Sequence, residues 1–421
     1  MLFRFLEKYL PATFLQNLKN LGIIQVANAL HPLLILPYLT RTVGVELIGL
    51  AMLGQTIMTY FSVFCEYGFN LSGTRDVALN RDNPAKLAEI FFSVYVIKTG
   101  IFFSCLLVFW LYHLLFPIEH FFLFFTAFGI IAAQIVNPFW FYQGLDNLKT
   151  VKNLSLIGKM LSVALTFLVI RQKEDYVWIN LLWASGNVLL GMVYSFITVR
   201  SLNLRFDGIN RPVLLTYFRE GWSSFLTNFL INIELYSPTL FLSQVVSPFV
   251  FGCFSIAEKI ISLFRVGLAV FFQATFPAVT RLRLQSFAAM KAYFRQVFRP
   301  FSFLTALGCM MVIPLAPLLY GLVAGHEYED GINSLIIMAF SPLWSCLSIP
   351  VFQTMLAYGF NRSYLASYFC SAAFALASGW YFPRFWGITG TAMSVMLTDL
   401  VLLLAIFFIF SLRHKEYKLL G

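Results

Sequence analysis

Residues 37–81 read PYLTRTVGVELIGLAMLGQTIMTYFSVFCEYGFNLSGTRDVALNR. The chain leaves an apolar run, turns through the short polar link from Thr40 to Glu46, runs apolar again, and emerges into GFNLSGTRD and further charge. A helix needs about 20 apolar residues to cross the roughly 30 Å of bilayer hydrocarbon. The pattern therefore reads as helix, turn, helix and charged loop, a membrane hairpin. The hairpin has an echo. Laid without a gap over residues 242–260, LTRTVGVELIGLAMLGQTI faces LSQVVSPFVFGCFSIAEKI, so that Leu39 meets Leu242, Val43 meets Val246, Gly49 meets Gly252 and Ile57 meets Ile260. The same register sets Asn70 against Gln273 and Ser72 against Thr275. One offset held through turn, helix and helix end points to an internally duplicated membrane protein.

Composition agrees. Of 421 residues, 59% are hydrophobic, 18% aromatic and 11% charged, with mean hydropathy +0.79, whereas soluble chains carry about 25% charged residues. The net charge of +10 would suggest nucleic acid in a soluble protein, but here its placement matters more than its sum. The cysteines (Cys65, Cys105, Cys253, Cys309, Cys346, Cys370) lie far apart without a CxxC. Neither a disulfide framework nor a metal cluster is expected, and they read as small buried hydrophobes. The opening MLFRFLEKYLPATFLQNLKN reads as a cytoplasmic amphipathic lead-in rather than a signal peptide.

On the length rule the expected fold is all-α and polytopic, with about twelve transmembrane helices. They fall at roughly 21–39, 48–69, 88–115, 121–142, 154–170, 176–198, 221–242, 250–276, 301–323, 333–358, 363–381 and 388–412. The basic link at residues 200–220 is the expected midpoint between two six-helix lobes, 1–205 and 206–421. Links on the N-terminal side hold most of the 29 basic residues, among them Arg4, Lys8, Arg75, Arg211, Lys415 and Lys418. The opposite side has Arg41, Arg171, Lys173 and Arg384. Positive charge collects on the cytoplasmic face, so both termini are expected there. Trp110, Trp140, Trp178, Trp380 and Trp386, near crossing ends, fit interfacial belts.

Ionisable groups inside crossings cost a few kcal/mol each and normally face the bundle interior. Lys98 is either a cation for an anionic substrate or half of a structural pair. Glu258, Ser262 and Arg265 share a helix face, spaced i, i+4, i+7, while Lys259 points elsewhere. Glu234 needs a partner, with Lys259 or Arg265 the obvious choices. Asp399 is a lone mid-helix carboxylate, either a coupling-ion site or a hydrogen-bonded core residue. His31, beside Pro32, either carries a proton or satisfies carbonyls freed by the proline. Ser371, Ala375 and Gly379 read as close helix packing. No GxxxxGK[ST], no HExxH and no long extramembrane loop is present. Energy is then expected from a gradient or the substrate, and no enzyme chemistry or cofactor is expected.

The runs HPLLILPYLTRTVG, GVELIGLAMLGQTI, EYGFNLSGTRDVALNRD and NPFWFYQGLDNLK resemble the O-antigen (O-unit) flippases of the polysaccharide-transporter family. That family belongs to the MATE-like multidrug/oligosaccharidyl-lipid/polysaccharide exporter superfamily. The resemblance implies two six-helix lobes in a V around a central cavity in the bacterial inner membrane. It implies movement of undecaprenyl-diphosphate-linked oligosaccharide from the cytoplasmic to the periplasmic leaflet, driven by an ion gradient, beside an O-antigen polymerase and a chain-length regulator. Interior cations would then hold the diphosphate: Lys98, Arg265 and Lys259, with Arg41 at the outer rim and Arg75 at the cytoplasmic mouth. Asn228, Asn232, Gln55 and Tyr60 would meet sugars, and Glu258, Glu234, Asp399 and His31 are the coupling-ion candidates. The rival readings are a MATE-type multidrug/cation antiporter and, less so, a membrane-embedded O-antigen polymerase or glycosyltransferase.

Overall fold

In the computed structural model, residues 12–206, 208 and 211–413 are described. Arg4, Lys8, Lys415 and Lys418, with most of the lead-in and both chain ends, lie outside the described residues. Among the described residues every regular element is helical. The hairpin is α1 (Ala12–Thr42) and α2 (Val45–Glu66), and α1 continues as helix through Pro32 and Pro37. α2 stops where Tyr67 and Gly68 take left-handed φ of 43° and 78°.

The segment expected as a charged loop is instead a helix, α3 (Phe69–Leu79). Its polar residues misled because they occupy one face. Phe69, Ser72, Gly73 and Val77 recur at helical spacing and are buried, while Arg75 and Leu79 are exposed. Asn83 caps α4 (Pro84–Leu115), its side chain accepting from the Lys86 amide. α5 (Phe121–Val136) and α6 (Phe139–Gly144) divide the fourth expected crossing at Asn137 and Pro138, where proline removes a helix donor. α7 (Leu148–Val169), a 3-10 turn at Lys173–Trp178 and α8 (Ile179–Ser201) follow. The remainder is α9 (Arg211–Leu242), α10 (Pro248–Gln285), α11 (Phe287–Ala324), α12 (Glu329–Met338), α13 (Ser341–Tyr358) and α14 (Asn361–Arg413).

The register of the sequence echo carries into these boundaries. It lays the start of α2, Val45, on the start of α10, Pro248, and the start of α4, Pro84, on the start of α11, Phe287. The caps agree as well. Ser286 accepts from the Ala289 amide as Asn83 accepts from Lys86. The halves differ at the Tyr67–Gly68 break, through which the equivalent stretch of α10 runs unbroken.

Among the described residues ten spans are long and apolar enough to cross a membrane. The last of them, α14, holds Gly387 at φ 54°, ψ −130°, which is not helical, between the stretches expected as the final two crossings. α9 is a further helix of 32 residues outside the ten.

The chain forms two compact units, one spanning Lys19–Asn232 and one built on the chain from Ile233, with the division inside α9. In the first, α7 and α8 meet so closely that a Cβ on Gly186 would stand 1.7 Å from the Gly158 carbonyl oxygen. Trp140, expected in an interfacial belt, is instead wholly buried in this unit's core with Phe69, Phe91 and Phe141. Room for the indole comes from Gly73, where a Cβ would lie 2.8 Å from Trp140 Cε3. In the second unit Phe271, Phe294 and Phe298 centre the core, and Gly379 brings α14 against Pro238 of α9, the close packing expected there. Cys370 departs from the expectation of buried cysteines. It lies exposed on α14 beside Phe369, on a face turned outward.

Candidate functional site

The densest polar centre lies inside the second unit. Asp399, on the second arm of α14, is 4% exposed. Arg265 of α10 donates from Nη2 to its Oδ2 at 2.9 Å and to Ser341 Oγ at 2.8 Å. Ser341 in turn donates to Asp399 Oδ2, and Ser345, one turn along α13, donates to Oδ1 at 3.3 Å. The carboxylate expected to stand alone is therefore held by three side chains.

Glu234 of α9 is equally buried. Its carboxylate feels the charges of Arg265 and Asp399, with Ser371 of α14 nearby. Of the two expected partners it is Arg265 whose charge acts on Glu234, with no ion pair within 4 Å joining them among the described residues. Glu258 accepts from Thr239 Oγ1 at 3.3 Å and has Lys259 and Arg265 as charged neighbours. Ser262, on the same face in sequence, turns back to the Lys259 carbonyl at 2.6 Å. Three carboxylates thus face two cations. The Arg265 Nε is buried without a hydrogen-bond partner.

A second charge lies inside the first unit. Lys98 of α4 is 3% exposed, and the opposite charge acting on it is Glu66, the last residue of α2. No ion pair within 4 Å joins Lys98 to a carboxylate among the described residues.

Most of the other expected residues have partners of their own. Gln55 donates to Asn180 Oδ1 at 3.2 Å, a pairing within the first unit. Asn232 donates to the Asn228 carbonyl at 2.8 Å, one turn back. Tyr60 is half-buried on α2, and Arg41 is exposed at the end of α1. Arg75 is exposed on α3 and pairs with Asp76 at 3.0 Å. His31 does not satisfy a carbonyl freed by Pro32. Its Nε2 shares a 3.1 Å hydrogen bond with Ser162 Oγ on α7, and its ring stands edge-on to Trp183. α1 stays helical through the proline, so a side chain from a neighbouring helix is the nearer partner.

Sequence reading missed Ser341, Ser345 and Glu66, and read Ser371 as helix packing alone. The run SPLWSCLS carried a usable signal, because Ser341, Ser345 and Ser348 sit at i, i+4, i+7 on one face of an otherwise apolar helix. Among the described residues no group of three or more His, Cys, Asp and Glu is suited to hold a metal ion.

The two sequence blocks EYGFNLSGTRDVALNRD and NPFWFYQGLDNLK fold onto each other. Thr74 Oγ1 donates to the Trp140 carbonyl at 3.0 Å, and Arg81 Nε to the Gly144 carbonyl at 2.8 Å. A Cβ on Gly144 would stand 2.6 Å from that of Val77. They form a clasp between α3 and α6.

An all-helical chain of membrane-spanning length with ionic centres inside it has the fold of the MATE-type transporters. It superimposes on a structure described as "Inward-facing conformation of a multidrug resistance MATE family transporter of the MOP superfamily" with TM-score 0.73 and 13% identity, covering 94% of this chain and 95% of that one. The structure "Lipid II flippase MurJ, inward closed conformation" matches with TM-score 0.68 and 12% identity over 92% and 86%. At such identities these matches speak for the fold alone. The family is given by sequence: the profile described as "Polysaccharide biosynthesis protein" matches residues 14–283, and the chain belongs to that family. Two relatives carry the name "Putative O-antigen transporter". The Escherichia coli (strain K12) protein is 23% identical over 83% of this chain and 85% of its own length. The Shigella dysenteriae protein is 22% identical over 92% and 98%.

Proposed function

We propose that this protein is a flippase that moves undecaprenyl-diphosphate-linked O-antigen units from the cytoplasmic to the periplasmic leaflet of the bacterial inner membrane. It works by alternating access of two six-crossing lobes, residues 1–205 and 206–421, with both termini cytoplasmic, and hands its product to a polymerase and chain-length regulator. The observation that carries the reading is the sequence kinship with O-antigen transporters along most of the chain, together with buried cations in a protein whose substrate would be anionic.

A diphosphate cannot enter hydrocarbon without compensating positive charge. Lys98 and Arg265 supply it from inside the bundle, with Lys259 beside Glu258, Arg41 on one rim and Arg75 on the other. Arg265 has two states in this scheme. Paired to Asp399 it is neutralised. When Asp399 takes up a proton the guanidinium is released, with its unused Nε–H, to meet phosphate oxygens. The excess of one carboxylate over cations in this centre favours a proton as the coupling ion, shared by Glu234, Glu258 and Asp399. Sugars would meet Asn228, Asn232, Gln55 and Tyr60.

Deleting the gene in its host is expected to abolish surface O-antigen while lipid-linked units accumulate on the cytoplasmic leaflet. Surface polymer at normal levels in the deletion strain would refute the reading. The multidrug antiporter remains the second reading because the second unit holds three interior carboxylates suited to an organic cation. It predicts sensitivity of the deletion strain to cationic dyes with polysaccharide unchanged.

A further inference from the structure

The first half of α11, the middle of α13 and the end of α14 leave between them a groove of about 660 Å³ within the second unit. One side carries Lys291, Arg295 and Arg299, three successive i+4 positions on one face of α11. Apart from Ser302 the rest is apolar, with Leu347 and Val351 from α13 and Leu403, Leu404 and Phe407 from α14. Among the described residues lining it none is acidic. Leu404 is 59% exposed, and Phe303 and Leu304, beyond the basic row on α11, are more exposed still. The groove therefore opens where a membrane protein meets acyl chains rather than water.

A row of cations along one wall of a hydrocarbon-facing slot matches a molecule with an anionic head and a long apolar tail. We propose that this groove is a binding site for an anionic glycerophospholipid of the adjacent leaflet. The phosphate lies along Lys291, Arg295 and Arg299, and an acyl chain rests on Leu347, Val351 and Phe407. Basic pockets between transmembrane helices bind phosphate head groups through charge, and each cation near the surface contributes about 1 kcal/mol. The groove draws on none of the residues assigned above to translocation. It would tie the second unit to the charge of the membrane around it.

The test uses the full-length protein in mixed micelles of phosphatidylcholine with phosphatidylglycerol or cardiolipin, read by native mass spectrometry. The wild type is expected to retain anionic lipid in preference to phosphatidylcholine. The triple variant Lys291→Gln, Arg295→Gln, Arg299→Gln is expected to bind it about 100-fold more weakly, three cations at the increment above. Leu347→Trp, which fills the apolar part and leaves every charge, is expected to lose retention as well, and it stands in if the triple variant fails to fold. The triple Lys149→Gln, Lys152→Gln, Arg219→Gln in the first unit is expected to bind as the wild type does. No preference for anionic lipid, equal loss in the first-unit variant, or full retention in Leu347→Trp would each overturn the proposal. So would inorganic phosphate binding as tightly as the lipid, since the apolar half would then contribute nothing.

Discussion

At the scale of single residues, the pair Arg265–Asp399 decides most. Removing one member of a buried ion pair leaves the other uncompensated, which costs about 3–5 kcal/mol. The 27% exposure of the Arg265 side chain places this site at the low end. Asp399→Asn and Arg265→Gln are each expected to destabilise the protein by about 3 kcal/mol, and the double variant by clearly less than their sum, read by thermal unfolding in detergent. Lys98→Ala is expected to abolish surface O-antigen with the protein at normal level in the membrane, and Lys98→Arg to restore part of it. Normal polymer from Lys98→Ala would remove the residue from the mechanism. The positions of Lys98, Glu234, Arg265 and Asp399 were legible because charge in an apolar run is conspicuous. The serines that hold Asp399 were not. Ser341 and Ser345 are separated from Asp399 by 58 and 54 residues, and a serine in a membrane helix is common enough to hide.

At the scale of elements, glycine sets how closely helices approach. A methyl on Gly186 would meet the backbone of α7, which cannot yield as a side chain can. Gly186→Ala is therefore expected to cost at least about 1–3 kcal/mol. Gly100→Ala, where nothing lies within 4 Å of a new Cβ, is expected to be neutral or to stabilise α4 through helix propensity. A ratio of unfolding midpoints in the two variants checks both. Gly387 tests a different effect. A Cβ there meets nothing within 4 Å, yet its φ of 54° with ψ of −130° lies where other residues are strained. Gly387→Ala is expected to cost about 1–3 kcal/mol through the backbone alone.

The repeat register was readable from sequence, but helix starts were not, because the length rule sees only the apolar stretch: α11, expected from about residue 301, begins at Phe287. The α3 helix was not legible either, because charge density at a crossing end looks like a loop until the buried face of Phe69, Ser72 and Val77 is seen. Trp140 was misread for a related reason. Its place near a crossing end says nothing of the glycine on a distant stretch that admits it to the core.

At the scale of the molecule, the repeat register carries into helix starts but not into the buried charges. The starts of α2 and α4 recur as those of α10 and α11, the second pair with its cap, yet in that register Arg265 falls on Ser62 and Lys98 on Phe301. A reporter fused after Arg413 is expected to be active only if it works in the cytoplasm, which checks the orientation drawn from the basic links.

The Arg265–Asp399 pair joins residues 134 positions apart. A ribosome delivering this chain to the membrane must insert α10 long before α14 exists. During that interval the guanidinium has only the carboxylates made before it, Glu234 and Glu258, to offset its charge. A nascent chain halted before α14 would depend on those two to stay inserted, and stripping them should send such truncated chains to membrane proteases.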